Sequence, residues 1–287
     1  IDCTDLVFTE KFQIQIPAGV TLASDRGHKG SGGAIIRSDN FATVPLIKAN
    51  GPNIRITGLR IIGPDPKPRL EHHRRAFNSQ RGDRKAQHQY YYLLPNSRGI
   101  STDFGFLEVD NCELSGWSHA AIFLQDGRNN HIHHNYIHHN QRNGLGYGVS
   151  HGTGKDISSL IEFNLFDYNR HSIAGAGVRG LSYEARNNVE LGESLGHNFD
   201  MHGGGDRRDG TDIAGERILI HHNTFTNPKV RAIAIRGKPT DKAAIYNNWF
   251  AQDAPGSAVL RPWPAGPDKH VFLYNNAFGR NDPVIIE

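Results

Sequence analysis

The sequence predicts an all-β, single-domain parallel β-helix, a solenoid interrupted by irregular loop insertions. Three observations lead there. Eight short segments repeat one pattern: an apolar residue, two variable residues, usually an Asn, a variable residue and a second apolar residue. The intervals between them fall in the range of repeat architectures. Each apolar run is short, alternates with period two and ends in Asn, Gly or Asp, which is the signature of a strand and not of a helix.

The clearest copies are Ile132–Ile137, Ile161–Phe166, Ile220–Phe225, Ile245–Phe250 and Leu273–Phe278, and weaker ones carry Leu59, Cys112 and Asn188 in the Asn slot. From Cys112 onward, successive slots lie 23, 29, 24, 35, 25 and 28 residues apart. A leucine-rich repeat would need a Leu-dense consensus, and a propeller blade a longer unit with four strands. A parallel β-helix remains, with two or three strands per coil. The slot Asn is expected to form an internal ladder at a tight bend, bonding the same amide one coil above and below and tolerating the left-handed backbone of the bend. Cys112 in that slot reads as a buried thiol, and Cys3 and Cys112 as two lone thiols in preference to a disulfide.

At 287 residues the chain has length for two globular domains, but repeats contact mainly their neighbours, so one elongated domain over 1–287 is expected. Glycine is abundant at 32 and methionine scarce at one, as suits a turn-rich β protein. No apolar run approaches the roughly 18 residues of a membrane span. A start at Ile1 without initiator Met reads as a processed form, and the expected location is secreted or periplasmic.

The formal net charge is +3, yet residues 66–98 alone hold eight Lys or Arg against two acids. That basic segment interrupts the repeat and ends in Tyr90, Tyr91 and Tyr92. It reads either as a solvated excursion or as a flap whose aromatics, Tyr91 among them, overhang a groove for an anionic chain. A second break, the Gly- and Asp-rich loop at 203–216, reads as ion-paired surface, as a wall touching substrate, or as a possible Ca²⁺ site.

The strand after each slot carries the functional argument. Aligned by their second apolar pair, the coils place Ile122 with Leu124, Tyr147 with Val149, Ile173 with Gly175, Phe199 with Met201, Ile233 with Ile235 and Val259 with Arg261 inward. The outward rungs then read Phe123 and Gln125, Gly148 and Ser150, Ala174 and Ala176, Asp200 and His202, Ala234 and Arg236, Leu260 and Pro262. Small residues lie on one side of Asp200 and His202 and basic ones on the other, as in a groove floor with one reactive rung. Tyr147 and His151 come from a preceding coil, and Arg179, Arg231 and Arg261 lie nearby. Chemistry on a uronate needs Arg to neutralise the carboxylate, a base for the C5 proton and an acid for the leaving oxygen.

The chain has 17 His. Those beside the slots, His133, His134, His138, His139, His221 and His222, read as scaffold; HIHHNYIHHN brings no carboxylate or thiol at a familiar metal spacing.

The coil pattern resembles, over most of the chain, the right-handed parallel β-helix of the pectate lyase-like superfamily. Within it, His197-Asn198-Phe199-Asp200-Met201-His202 is similar to the aromatic-Gly-Phe-Asp-Pro-His motif of mannuronan C5-epimerases, sharing Phe199, Asp200 and His202. The resemblance implies active-site roles for Asp200 and His202 and a proton-transfer position at His197, where the family has Tyr. Met201 stands in place of Pro, and Gly203 where an acid is common.

The function expected is a polysaccharide lyase acting on an acidic, uronate-containing glycan by β-elimination. Tyr147, His151, Asp200, His202 and Arg236 are the catalytic candidates; Arg179, His197, Arg231, Arg261 and Tyr91 are the substrate-binding ones. The alternatives are a uronan C5-epimerase, a glycoside hydrolase pairing Asp200 with Asp206, Asp209 or Glu184, and a glycan-binding module without catalysis. The expected partner is the acidic polysaccharide, with no nucleic acid or membrane, and the chain is expected to be a monomer or weak dimer.

Overall fold

In the computed structural model, which describes residues 5–68, 71, 95–142, 144–261 and 270–279, the chain winds in coils of three short strands joined by tight corners. Like strands of successive coils pair in parallel, giving sheets of ten, nine and nine strands. This is the all-β parallel β-helix expected. Period-two alternation sends every second side chain inward, where equivalent residues of neighbouring coils stack. The third sheet thus lines up Ile56, Val109, Ile132, Ile161, Ala185, Ile220 and Ile245, all buried. In the first sheet Phe225, Phe250 and Phe278 stack with centroid spacings of 5.0 and 5.3 Å, and Phe199 of the second sheet meets Phe225 edge-on at 5.0 Å. One core cluster runs from Ile16 to Val271.

The slot asparagines form the ladder at the corner between the third and first sheets. Asn135, Asn164, Asn188, Asn223 and Asn248 each donate Nδ2 to the Oδ1 of the next Asn at 3.0 Å, and Asn276 receives the last bond. The other Nδ2 hydrogen of Asn135 and of Asn164 reaches a carbonyl of the previous coil, Val109 and Ile132. The left-handed residue is not the ladder Asn, as the sequence suggested, but the one before it. Asn111, His134, Phe163, Asn187, His222, Asn247 and Asn275 have φ between 50 and 56°. His134 and Phe163 therefore hold a conformation that disfavours L-residues by about 1–2 kcal/mol, while their rings stack 5.1 Å apart.

A second, shorter ladder turns the corner between the first and second sheets. Asn140 Nδ2 donates to Asn169 Oδ1 at 2.9 Å, and the Trp117 N–H caps Asn140 at 3.0 Å. Here too the preceding residues, Gly116, His139 and Tyr168, are left-handed. His133-His134-Asn135 and His138-His139-Asn140 are thus two corners of one coil, with His134 and His139 left-handed at the bends, while His133 meets Glu108 and Asp110, carboxylates that the local sequence spacing did not show. Cys112 starts the first ladder, its N–H bonded to Asn135 Oδ1, and burial pushes its thiol up to about 12.

No helix among the described residues is long and apolar enough to cross a membrane. Residues 69, 70 and 72–94 lie outside the described residues, and with them most of the basic segment and Tyr91; Cys3 lies outside them too.

Candidate functional site

The second sheet carries the site on its outer face, and its register corrects one coil of the sequence alignment. Ile122 pairs with Val149 and Leu124 with His151, so the Tyr147 coil sits two residues from its predicted position. His151 consequently points inward with Leu124. Its Nδ1 donates to the Ala174 carbonyl at 3.0 Å, which leaves Nε2 to accept from Ser159 Oγ at 2.7 Å. Burial lowers its pKa to about 4. With both nitrogens engaged, His151 is a scaffold group and not a free base.

Tyr147 shifts the other way. It leaves the core cluster and packs outside the sheet with Ala120, Phe123 and Ala174. Each coil places two inward residues in succession at the start of this strand, Ala121 with Ile122 and Ala232 with Ile233. The residue before them therefore faces out, which strict alternation from the apolar pair did not foresee. Tyr147, His171 and His197 form this extra outward column, stacked at 5.7 and 5.9 Å with rings within 12° of parallel.

Asp200, on the strand Phe199–Met201, is the centre of the rung. Its carboxylate is fully buried and meets three partners. Arg236 holds it in a fork, Nε to Oδ1 at 2.8 Å and Nη2 to Oδ2 at 2.6 Å. His202 Nε2 lies 3.1 Å and His171 Nε2 3.2 Å from Oδ2. Burial alone would raise the pKa of Asp200; His171, His202 and Arg236 outweigh it and hold the carboxyl well below the usual range. Asp200, His202 and Arg236 thus share one surface, as the sequence indicated.

The loop at 203–216 buttresses that rung. A Cβ on Gly203 would lie 1.9 Å from the Arg236 carbonyl oxygen, so only glycine lets the chain leave the strand there. One helical turn, Gly204–Arg207, then aims Asp206 back at Arg236 Nη1, 3.2 Å away. Arg207 ties the loop down through the Ala176 and Ile213 carbonyls. Asp209 pairs with Arg207 and Asp212 with Lys238, so the loop's aspartates face their own cations.

The remaining candidates are dispersed. His197 is half-buried in the outward column, and Arg231, exposed, lies on the next coil and acts electrostatically on it. Arg179 is exposed in the turn before the third sheet, and Arg261 is exposed and does not point inward as aligned. Sequence reasoning missed His171 and Arg170. The signal for His171 was the outward column, with Tyr147, His171, His197 and Arg231 at matching places in four coils, which the alignment by apolar pairs concealed; Arg170 carried none.

The chain matches no family model, and no curated protein or solved structure is significantly similar to it. The arrangement must therefore speak through its chemistry. A groove of about 190 Å³ borders His202, floored by Ser150, Gly152, Ala174 and Ala176 and walled by Phe123 and Tyr147. His171, His197 and Asp200 bring their ligand atoms within 4.8 Å of one another, a grouping able to hold a metal ion. Charge argues otherwise, because the single carboxylate is already forked by Arg236, and Arg170 and Arg231 also act on His197. A site with three guanidinium groups against two carboxylates, Asp200 and Asp206, both paired with Arg236, favours an anion.

Proposed function

We propose that the protein is a polysaccharide lyase that cleaves an acidic, uronate-containing glycan by β-elimination in the groove beside His202. One observation carries the reading: the buried Asp200 carboxylate, fixed by Arg236, lies 3.1 Å from His202 Nε2 at the edge of a small-residue groove. With Nε2 carrying the proton, Nδ1 is left as the basic nitrogen. His202 takes the C5 proton, the electron pair forms the C4–C5 double bond, and the 4-O substituent departs with a proton. Tyr147 is the candidate for that donation: burial raises its phenol pKa and keeps it protonated, and its hydroxyl, which donates to the Gly144 carbonyl at 3.1 Å, would turn to the leaving oxygen. Arg236 is largely committed to Asp200 and Asp206, so its two unused N–H groups and the exposed Arg231 neutralise the uronate carboxylate.

Epimerisation shares the first step, and one feature favours it as a second reading. His197 and His171 form an imidazole column on the other side of Asp200 from His202, where a second proton donor would be needed. A hydrolase fits less well, because Asp200 is fully buried and Asp206 is bound to the same Arg236. Incubation with alginate, pectate, glucuronan and glycosaminoglycans tests the proposal. A lyase yields unsaturated ends with new ultraviolet absorbance, and an epimerase yields solvent deuterium at C5 without cleavage. Silence across the panel in both assays would sink both readings.

A further inference from the structure

Among the described residues most arginines are paired, as Arg55 is with Asp110, Arg60 with Glu113, Arg186 with Glu162, Arg217 with Asp241 and Arg236 with Asp200. Two half-buried ones on the groove flank are not. Arg98, at the start of the strand Arg98–Thr102, lays its guanidinium 3.8 Å above the Phe123 ring and donates Nε to His119 Nδ1 at 2.8 Å. It makes no ion pair with a described carboxylate, and Asp103, the acid that acts on it, is held by Lys48. Arg170 lies 5.9 Å from the Tyr147 ring centroid, likewise without an ion pair among the described residues. Its Nη1 is buried and has no hydrogen-bond partner.

Retaining two such cations on aromatic faces, partly out of water and without an ion pair among the described residues, is unfavourable unless a ligand supplies the anion. Their spacing suits a glycan. Phe123 and Tyr147 sit on adjacent coils, roughly 5 Å apart along the axis, with the His119 ring 5.1 Å from one and 6.0 Å from the other. Both rings line the groove that ends at His202. The Arg98–Phe123 and Arg170–Tyr147 pairs thus stand side by side, about the rise of one or two sugar units, upstream of the proposed reacting position.

We propose that Arg98 and Arg170 form a bipartite anion subsite, holding carboxylate or sulfate groups on neighbouring sugars of the bound chain. The ring faces of Phe123 and Tyr147 orient the guanidinium planes for bidentate contact. This rests on the acidic-glycan reading and deepens it: the substrate carries charge on successive units, not on an isolated one.

Calorimetric titration with tetramannuronate, tetragalacturonate and a sulfated chondroitin tetrasaccharide, in a His202→Ala background that keeps the ligand intact, tests the subsite. Arg98→Gln and Arg170→Gln should each weaken binding about tenfold and flatten its salt dependence. Arg98→Lys, which keeps the charge, should recover part of the loss and serves if the Gln variant fails to fold. Preference for the uronates over the sulfated ligand, or the reverse, identifies the anion. Unchanged affinity and salt dependence in the double Gln variant overturns the subsite, as does failure of all three ligands to bind. Arginine-dependent binding without any unsaturated product from the wild-type protein supports the subsite and removes the lyase reading instead.

Discussion

At the scale of single residues, the site separates a group that does chemistry from a group that holds it in place. His202 is a quarter exposed at the edge of the cluster, whereas Asp200 is fully buried, forked by Arg236 and within 3.2 Å of both His171 and His202. Removing them should have different consequences. His202→Ala should lower turnover by about 10²–10⁴-fold while leaving the melting temperature close to that of the wild type. Asp200→Asn leaves a half-buried guanidinium with only Asp206 as counter-charge, and breaking a buried pair costs on the order of 3–5 kcal/mol. That variant should lose both activity and several degrees of thermal stability. Equal melting shifts in the two variants would contradict the division of roles, and parallel measurement of initial rate and thermal denaturation decides it. Asp200, His202 and Arg236 were legible in the sequence because two-residue spacing and coil register put them on one face. His171 and Arg170 were not, because the doubled inward residue at the strand start breaks the alternation from which faces were assigned.

At the scale of elements, the corners are specified by side-chain amides more than by strand propensity. Each ladder Asn lies in the interior and bonds to both neighbouring coils, so its removal orphans groups on each side. Asn223→Ala strips the Nδ2 donor from Asn248 Oδ1 and leaves Asn188 Nδ2 and the Asn188 N–H without their Oδ1 acceptor. An unsatisfied buried polar group costs about 1–3 kcal/mol, so the variant should be destabilised by at least that much in urea denaturation. Asn247→Ala, at the half-buried position beside the ladder, should lose less, chiefly through its left-handed φ of 53°. The reverse order would remove the ladder from the account of what fixes the corner. The repeated Asn announced this ladder, but the second one hid in the same coil. Asn140 and Asn169 mark corners only two coils long, and too short a series gives no period to detect.

At the scale of the whole molecule, parallel stacking buries ionisable groups at regular depth, and their summed protonation sets how stability varies with pH. Burial lowers His119 to about 3 and His139 and His151 to about 4. In the unfolded chain these histidines take up protons near 6.5, so between about pH 4 and 6.5 the unfolded state binds more of them and stability rises with pH. The Glu113 carboxyl, beside His138 and bonded to Arg60 despite burial, is lowered to about 2 and adds a rise between there and its ordinary value. Glu190 acts in the opposite sense. It is 1% exposed beneath the site, accepts from Asn198 Nδ2 at 3.0 Å, and burial pushes it up to about 8. From about pH 4.3 upward the unfolded chain has released this proton while the folded chain keeps it, so stability falls until about pH 8. Three histidines outweigh one carboxyl below 6.5; above that Glu190 acts alone. The melting temperature should therefore peak near pH 6.5 and decline toward 8. Glu190→Gln, which keeps the bond to Asn198 but has nothing to titrate, should abolish the decline and leave the acid limb intact. Melting curves of the two proteins that run parallel from pH 6.5 to 8 would show that the interior carboxyl is already ionised in the folded solenoid.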